Sequence, residues 1–248
     1  MHPSQRKLGH RPWVLPARPW IMAQSWHDLL FAHWPVPAEA LRRFIPGRLE
    51  LDLFDGQAWL SIVPFRMTGV RLRGTPALPW LSAFPELNVR TYVIAEDKPG
   101  LWFFSLDAAN PIAVEAARLS YHLPYFRARV TMSEGSDGIV YRSLRTDYRG
   151  NGETLEVIYS GEGQGFEAKA GTLEYFLVER YCLYAQSPNQ ELLRGEIHHP
   201  PWQLRPARAR FKVNAMADPL GIRISGAPTL HFSRLQQVIV WWPEKVKD

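Results

Sequence analysis

Apolar and polar side chains alternate over residues 86–93 (Glu-Leu-Asn-Val-Arg-Thr-Tyr-Val). The period of two predicts a strand with Leu87, Val89 and Val93 on one face and Glu86, Asn88 and Arg90 on the other. Residues 101–106 form a strongly apolar strand, and Asp97-Lys98-Pro99-Gly100 between the two reads as a turn, so the pair is a hairpin. Residues 49–54 and 58–63 are also extended in character, and Asp55-Gly56 between them tolerates the positive φ of a hairpin turn. Further strands are predicted at 126–132, 139–144, 154–159, 202–213 and 230–242, with Gly135-Ser136-Asp137-Gly138 as the turn between the first two.

Helical signals are fewer. Pro37 stands early in a helix over 36–44, where its missing N–H costs nothing, and Pro46 stops it. Asn110-Pro111 is an N-cap followed by a proline at the first helical position; it opens a helix through about Ser120 that Leu123-Pro124 ends. A third helix is predicted over 171–185, where Leu173, Leu177, Arg180, Tyr181 and Tyr184 lie near one stripe. No repeat or low-complexity linker interrupts the chain. Hairpins with helices inserted between them make an α+β fold around a large antiparallel sheet, and closure into a barrel would remove its exposed edges.

Composition changes this picture little. At 248 residues, 46% hydrophobic and 21% charged, the chain suits one β-rich domain with a real core. Charge is more telling. Of the net +5, four charges (Arg6, Lys7, Arg11 and Arg18) sit in the first 22 residues, which leaves +1 for the rest. Residues 1–21, rich in proline, are expected as a disordered basic extension before a domain spanning 22–248, with Met22 as an alternative start. A near-neutral body offers no basic stripe, so no nucleic-acid partner is expected. No run approaches the ~20 apolar residues of a membrane span, and a lone cysteine, Cys182, suits a reducing, cytoplasmic setting. Homo-oligomerisation is left open.

Familiar chemical motifs are missing: there is no phosphate-binding glycine loop, Gly-x-Ser-x-Gly, Cys-x-x-Cys or His-Glu-x-x-His. No cofactor is therefore expected. His198 and His199 are adjacent, so on a strand they point to opposite faces and cannot share a metal. A site joining His199 to His231 or His33 lacks any ligand spacing, and no metal is expected. Two readings of Glu86, Asn88 and Arg90 stand: a solvated outer face, which periodicity favours, or a polar patch lining an interior. Phe84 and Tyr92 share their face, which weakens the first. Glu86 and Arg90 are about 13 Å apart along a strand, so each needs another partner, and a bound small molecule could be one. Asp107 reads as a turn residue and Arg118 as a helix charge that small Ala113, Ala116 and Ala117 could bring near a barrel mouth. Tyr121 and Tyr125 bracket the helix exit.

Longer segments carry a resemblance. Trp26-His27-Asp28-Leu29-Leu30-Phe31-Ala32-His33-Trp34-Pro35-Val36-Pro37, Leu51-Asp52-Leu53-Phe54-Asp55-Gly56-Gln57-Ala58-Trp59, Phe84 through Val93, Ser105-Leu106-Asp107-Ala108, Ala117-Arg118 with Leu123-Pro124-Tyr125, and Ile197-His198-His199-Pro200-Pro201-Trp202 resemble the YqjF-like family, over about Trp20 to Trp242. That family resembles a branch of the acetoacetate decarboxylase-like superfamily, which implies a mostly antiparallel closed β-barrel with a few outer helices and a pocket within. Decarboxylases of the superfamily carry a strand Glu and a Pro-Lys-Lys segment after a short helix, the first Lys forming a Schiff base. By order along the chain Glu86 is similar to the strand Glu and Pro124 to the Pro, so the Lys position falls on Tyr125, with Phe126 next. A phenol cannot form an imine.

The leading expectation is thus a pocket for a small organic acid or carbonyl compound, enzymatic without a Schiff-base lysine if enzymatic at all. Glu86 and Tyr125 are the candidate proton-moving pair, and Asn88, Arg90 and Arg118 the candidate ligand-binding residues. The alternatives are a non-catalytic barrel domain that Glu86 and Arg90 hold together as a buried network, and a nucleic-acid binder acting through the basic tail.

Overall fold

In the computed structural model, which describes residues 2–79 and 81–247, strands dominate. They are β1 (Met22–Val36), β2 (Glu50–Leu51), β3 (Ala58–Leu72), β4 (Phe84–Ala95), β5 (Lys98–Ala108), β6 (Tyr125–Gly135), β7 (Gly138–Arg145), β8 (Thr154–Gly161), β9 (Cys182–Gln186), β10 (Leu192–His198), β11 (Arg205–Asn214), β12 (Thr229–Val240) and β13 (Glu244–Lys245). Three short α-helices accompany them: α1 (Ala38–Arg42), α2 (Pro111–Tyr121) and α3 (Leu173–Val178). The strands pair in the order β13-β10-β9-β5-β6-β7-β8-β11-β12-β1-β3-β4-β2, and β4 also pairs with β5 and β10 with β12. All pairings are antiparallel except β5 with β6 and β5 with β9. A parallel neighbour needs a crossover, and α2 supplies it between β5 and β6.

Much of β1, β3 and β4 is buried on both faces, which is what positions the site. On β1, Leu29 and Phe31 belong to one core cluster while Leu30, Ala32 and Trp34 belong to another. On β3, Val63, Phe65 and Met67 face the first, and Leu60 and Ile62 the second. The second cluster is completed by Tyr141, Leu155, Val157 and Tyr159 of β7 and β8. Leu87 and Val89 of β4 lie in this second cluster, so the polar face of β4 is turned toward the first. β1 and β3 lose register between His27 and Ala32, where Asp28 has φ 55°. Pro64 of β3 lies within that interruption, where its missing N–H breaks no ladder bond.

Several expectations need correction. The helix over 171–185 stops at Val178, and residues 182–186 form β9 instead. A parallel ladder to β5 and an antiparallel one to β10 override the helical stripe. Gly100 of β5 makes the close packing there work, since a Cβ on it would meet Cys182 Sγ and Tyr184 Cε2 at 2.7 Å. Cys182 is buried and its thiol is pushed up to about 12 by desolvation. The Asp55-Gly56 turn forms, closed by Phe54 and Gln57, but β2 pairs with β4 rather than with β3. The hydrophobic pattern does not predict the strand Met22–Val36, because burial on both faces erases alternation.

The basic N-terminal segment expected as a disordered extension lies against the sheet. Arg11 is buried; its guanidinium donates to the carbonyl of Ile197 at 2.5 Å and is paired with Glu196. Leu15 and Trp20 pack on Ala23, Ile239 and Trp241. Lys7 lies 3.6 Å from Glu167 and Arg18 2.7 Å from Glu244. Sequence charge counting could not see this, since the carboxylates that neutralise the segment lie in the last third of the chain.

Candidate functional site

The inward face of β4 carries Glu86, Asn88, Arg90 and Tyr92. Glu86, Asn88 and Arg90 are 3%, 6% and 6% exposed, so the solvated reading that periodicity favoured does not hold. All three line a cavity of about 110 Å³. The apolar wall comes from β1 (Leu29, Phe31), β3 (Val63, Phe65, Met67), β5 (Leu101, Phe103, Leu106) and the later segments that bring Val178, Leu183, Ile197 and Trp202. Half-buried lining residues Met22, Gln24, Trp26, Ala117 and Tyr125 mark where it reaches the surface.

Tyr125 opens β6, paired in parallel with Leu106 of β5, and Ala108 of β5 stands opposite Glu86 of β4. The small Ala108 leaves room for the Tyr125 hydroxyl to donate to Glu86 Oε2 at 2.9 Å. Burial disfavours the charged carboxylate most strongly, and the negative charge of Asp107 adds to this. The Tyr125 hydrogen bond opposes them, and the Glu86 carboxyl is pushed up to about 8. Glu86 is therefore mainly a neutral acid at neutral pH. Burial also raises the Tyr125 hydroxyl well above its ordinary value, so the phenol stays protonated.

Two guanidiniums reach the cavity, and they differ. Arg180 pairs with Asp52 and donates its Nε–H to the carbonyl of Phe176 at 2.7 Å, lying over the rings of Phe176 and Tyr92. Arg90 has no carboxylate partner among the described residues, and its Nε has no hydrogen-bond partner. Its Cζ lies 5.7 Å from the centroid of Phe31, and burial holds its guanidinium below the ordinary value. Asn88 Oδ1 and the indole Nε1 of Trp202, both on lining residues, are likewise buried without partners. Buried polar atoms left unpaired in this way cost free energy unless a guest completes them.

Arg118 is not among the lining residues. It donates to the backbone carbonyl of Tyr125 at 2.8 Å, at the start of β6 beside α2. Asp107 is no turn residue either: it is fully buried on β5, bound by Arg145 through Nε and Nη2. His199 lines the cavity while His198 points away to the carbonyl of Ser4, the opposite faces expected of neighbours on a strand. The His199 ring lies between two carbonyls, Pro200 at 2.8 Å from Nδ1 and Arg180 at 3.2 Å from Nε2, and burial pushes it down to about 4. No group of three or more metal-ligating side chains occurs among the described residues. No lysine lines the cavity.

Sequence reasoning does not assign Arg180, His199, Trp26 or Trp202 to the cavity. The helical stripe over 171–185 puts Arg180 on a helix, and no pattern points Trp26, His199 or Trp202 inward from the segments that contain them. The signal that could have found them is the density of aromatic and cationic residues around a Pro-Pro break at 200–201.

Comparison with known proteins places the chain. The family model described as DUF2071, "Uncharacterized conserved protein", matches residues 23–237. The protein YqjF of Bacillus subtilis (strain 168) is 44% identical over 223 residues, 90% of this chain and 91% of that one. Among solved structures, the enduracididine biosynthesis enzyme MppR complexed with pyruvate matches with a TM-score of 0.65 at 12% identity, covering 93% of this chain and 92% of its own. An acetoacetate decarboxylase-like enzyme from Sphingomonas wittichii RW1 matches with a TM-score of 0.65 at 13% identity, over 97% and 100% of the two chains. An acetoacetate decarboxylase matches at 0.61 and 16%, over 93% and 91%. The chain belongs to the DUF2071 family, and its sheet-dominated α+β fold is similar to that of acetoacetate decarboxylase-like proteins. None of its described helices is long and apolar enough to cross a membrane.

Proposed function

We propose that this chain binds a small organic acid in the cavity, with its carboxylate on Arg90 and the neutral carboxyl of Glu86 facing it as a proton donor. The observation that carries this reading is Arg90: a buried guanidinium, lining a cavity, with no carboxylate of its own among the described residues. A buried cation whose polar partner is the Tyr92 hydroxyl and not a counter-ion is costly, and an anionic ligand removes that cost. Glu86 adds no opposing negative charge at neutral pH, and Arg180 is already neutralised by Asp52. The return of the ladder from β4 to β5 supports a closed barrel around the cavity. That the structural neighbour MppR was solved with pyruvate agrees with a small-acid pocket in this fold.

Chemistry at the site would be proton transfer. An acid titrating near neutrality can give and take a proton within hydrogen-bond reach of a ligand, and Asn88 and Tyr125 would hold the ligand and the acid in place. Imine formation is disfavoured because no lysine lines the cavity. The test compares wild type with Arg90→Met, an apolar side chain of similar length, in calorimetric titrations with acetate and pyruvate at pH 7. Binding to wild type that is lost in the variant supports the reading. Equal binding by both proteins, or no binding of any carboxylate by wild type, overturns it.

A further inference from the structure

We infer that the cavity selects a monocarboxylate bearing a compact apolar group about the size of a benzene ring, over a short polar acid such as acetate or pyruvate. This rests on the reading of Arg90 as the carboxylate anchor.

The argument is one of segregation. The polar lining groups open to a ligand are gathered on β4, at Glu86, Asn88 and Arg90, with the Tyr125 hydroxyl bound to Glu86, whereas Arg180 is engaged by Asp52 and the Phe176 carbonyl, His199 by the carbonyls of Pro200 and Arg180, and Gln24 by the Trp26 indole. Away from them one wall is aromatic. The rings of Trp26 and Trp202 lie side by side, 6.1 Å between centroids and 24° between planes, too close to admit a ring between them. Phe31 meets Trp202 edge-on at 4.9 Å, and Phe65 meets Trp26 edge-on at 5.7 Å. This wall is braced from behind. The Trp202 backbone N–H donates to Glu179 Oε1 at 2.9 Å, and the Trp26 indole donates to Gln24 Oε1 at 2.8 Å. Each tryptophan is thus anchored at one point, Trp202 through its backbone and Trp26 through its indole. Leu101, Leu106, Leu123 and Leu183 supply aliphatic lining elsewhere.

A two- or three-carbon acid would satisfy Arg90 and leave this apolar surface against water or void. Burying a ring there removes apolar area at the usual gain per unit area, and ring edges meet the Trp and Phe faces in the geometry aromatic pairs prefer. Size sets the upper bound. The cavity of about 110 Å³ is smaller than the ~150 Å³ apolar cavity known to take benzene. A single ring enters with adjustment of the methionines Met22 and Met67 that line the space, and methionine is the side chain that repacks most readily. Fused or larger rings do not fit.

Four probes test this by calorimetry at pH 7: acetate, pyruvate, phenylacetate and 2-phenylethanol. The expected result is phenylacetate bound at least about tenfold more tightly than acetate or pyruvate, with 2-phenylethanol, which lacks the carboxylate, much weaker than phenylacetate. Trp26→Ala alters a half-buried side chain, so the fold should tolerate it. It should weaken phenylacetate binding severalfold more than acetate binding, and so reduce the preference. Acetate or pyruvate binding as tightly as phenylacetate overturns the inference but leaves the small-acid reading standing. An unchanged preference in Trp26→Ala overturns the aromatic wall as its source. If no carboxylate binds at all, the small-acid reading falls first and takes the inference with it.

Discussion

Glu86→Gln isolates the consequence of burying a carboxyl without a counter-charge. The substitution keeps shape and lets the Tyr125 hydroxyl donate to the amide oxygen as it does to Glu86 Oε2. In the wild-type protein the carboxyl is pushed from 4.5 to about 8, a preference for the neutral acid worth roughly 5 kcal/mol in total. Between those pH values the unfolded chain has released this proton and the folded one has kept it. Wild-type stability due to Glu86 is therefore fully present below pH 4.5 and falls as pH rises, by about 1.4 kcal/mol per pH unit, until it levels off above about 8. Gln cannot titrate. Urea unfolding of both proteins at half-unit steps from about pH 5 to 8.5 reads the effect as a difference in which other titrating groups cancel, including Asp107, pushed up to about 6. The difference should move steadily in favour of Glu86→Gln across the window. Parallel profiles, or a drift in favour of wild type, would show that Glu86 ionises normally and would remove the proton donor from the site.

Other predictions concern the edges of the cavity. Arg11→Ala should destabilise the protein by about 2 kcal/mol, below the usual cost of breaking a buried pair because Glu196 keeps Lys98 and Arg194 nearby. It should also speed tryptic cleavage after Arg6 and Lys7, and unchanged cleavage would mean that Arg11 does not tether this segment. His198, held down to about 4 by burial, favours the folded state less as pH falls from 6.5, where the unfolded chain starts to take up the proton. His198→Gln should flatten the acid loss of stability between pH 6.5 and 4 by up to about 3 kcal/mol in all, as read by thermal melts across that range.

The hairpins and α2 were legible because their signals are local: Asp55-Gly56 adopts the positive φ its composition allows, and Asn110 caps α2 through its own side chain. The inward turn of Glu86, Asn88 and Arg90 was not settled by alternation. Leu87 and Val89 needed a core, and they have one, but the opposite face of β4 has another, and a period of two cannot say how many faces are covered. Tyr125 was reached through resemblance to a motif order. Arg180 and Trp202 enter the cavity because β9 pairs with β5 and β10 with β12, contacts spanning tens of residues that no local window reports. Arg118 stands outside the lining because its guanidinium meets the backbone carbonyl of Tyr125, a contact that sequence spacing does not report.

The place of Tyr125 explains the state of Glu86, and this can be argued to a test. Were an ammonium at position 125, it would stand within hydrogen-bond reach of the carboxyl, and an opposite charge at that distance favours ionisation. The neutral acid thus follows from a neutral partner as well as from burial. Tyr125→Lys should then remove the loss of stability that the Glu86 carboxyl causes in the wild-type protein as pH rises from about 5 to 8. The introduced lysine should differ between the two. Opposite an ionised Glu86 it stays protonated and unreactive. Opposite the glutamine of the double variant it has no counter-charge, shares an apolar cavity with Arg90, and falls toward the range where an amine attacks a ketone. Borohydride reduction in the presence of pyruvate, followed by intact-mass measurement, should trap an adduct in the double variant and little in the single one. An adduct of equal yield in both, or in wild type, would show that the Glu86 carboxyl does not govern charge in this cavity.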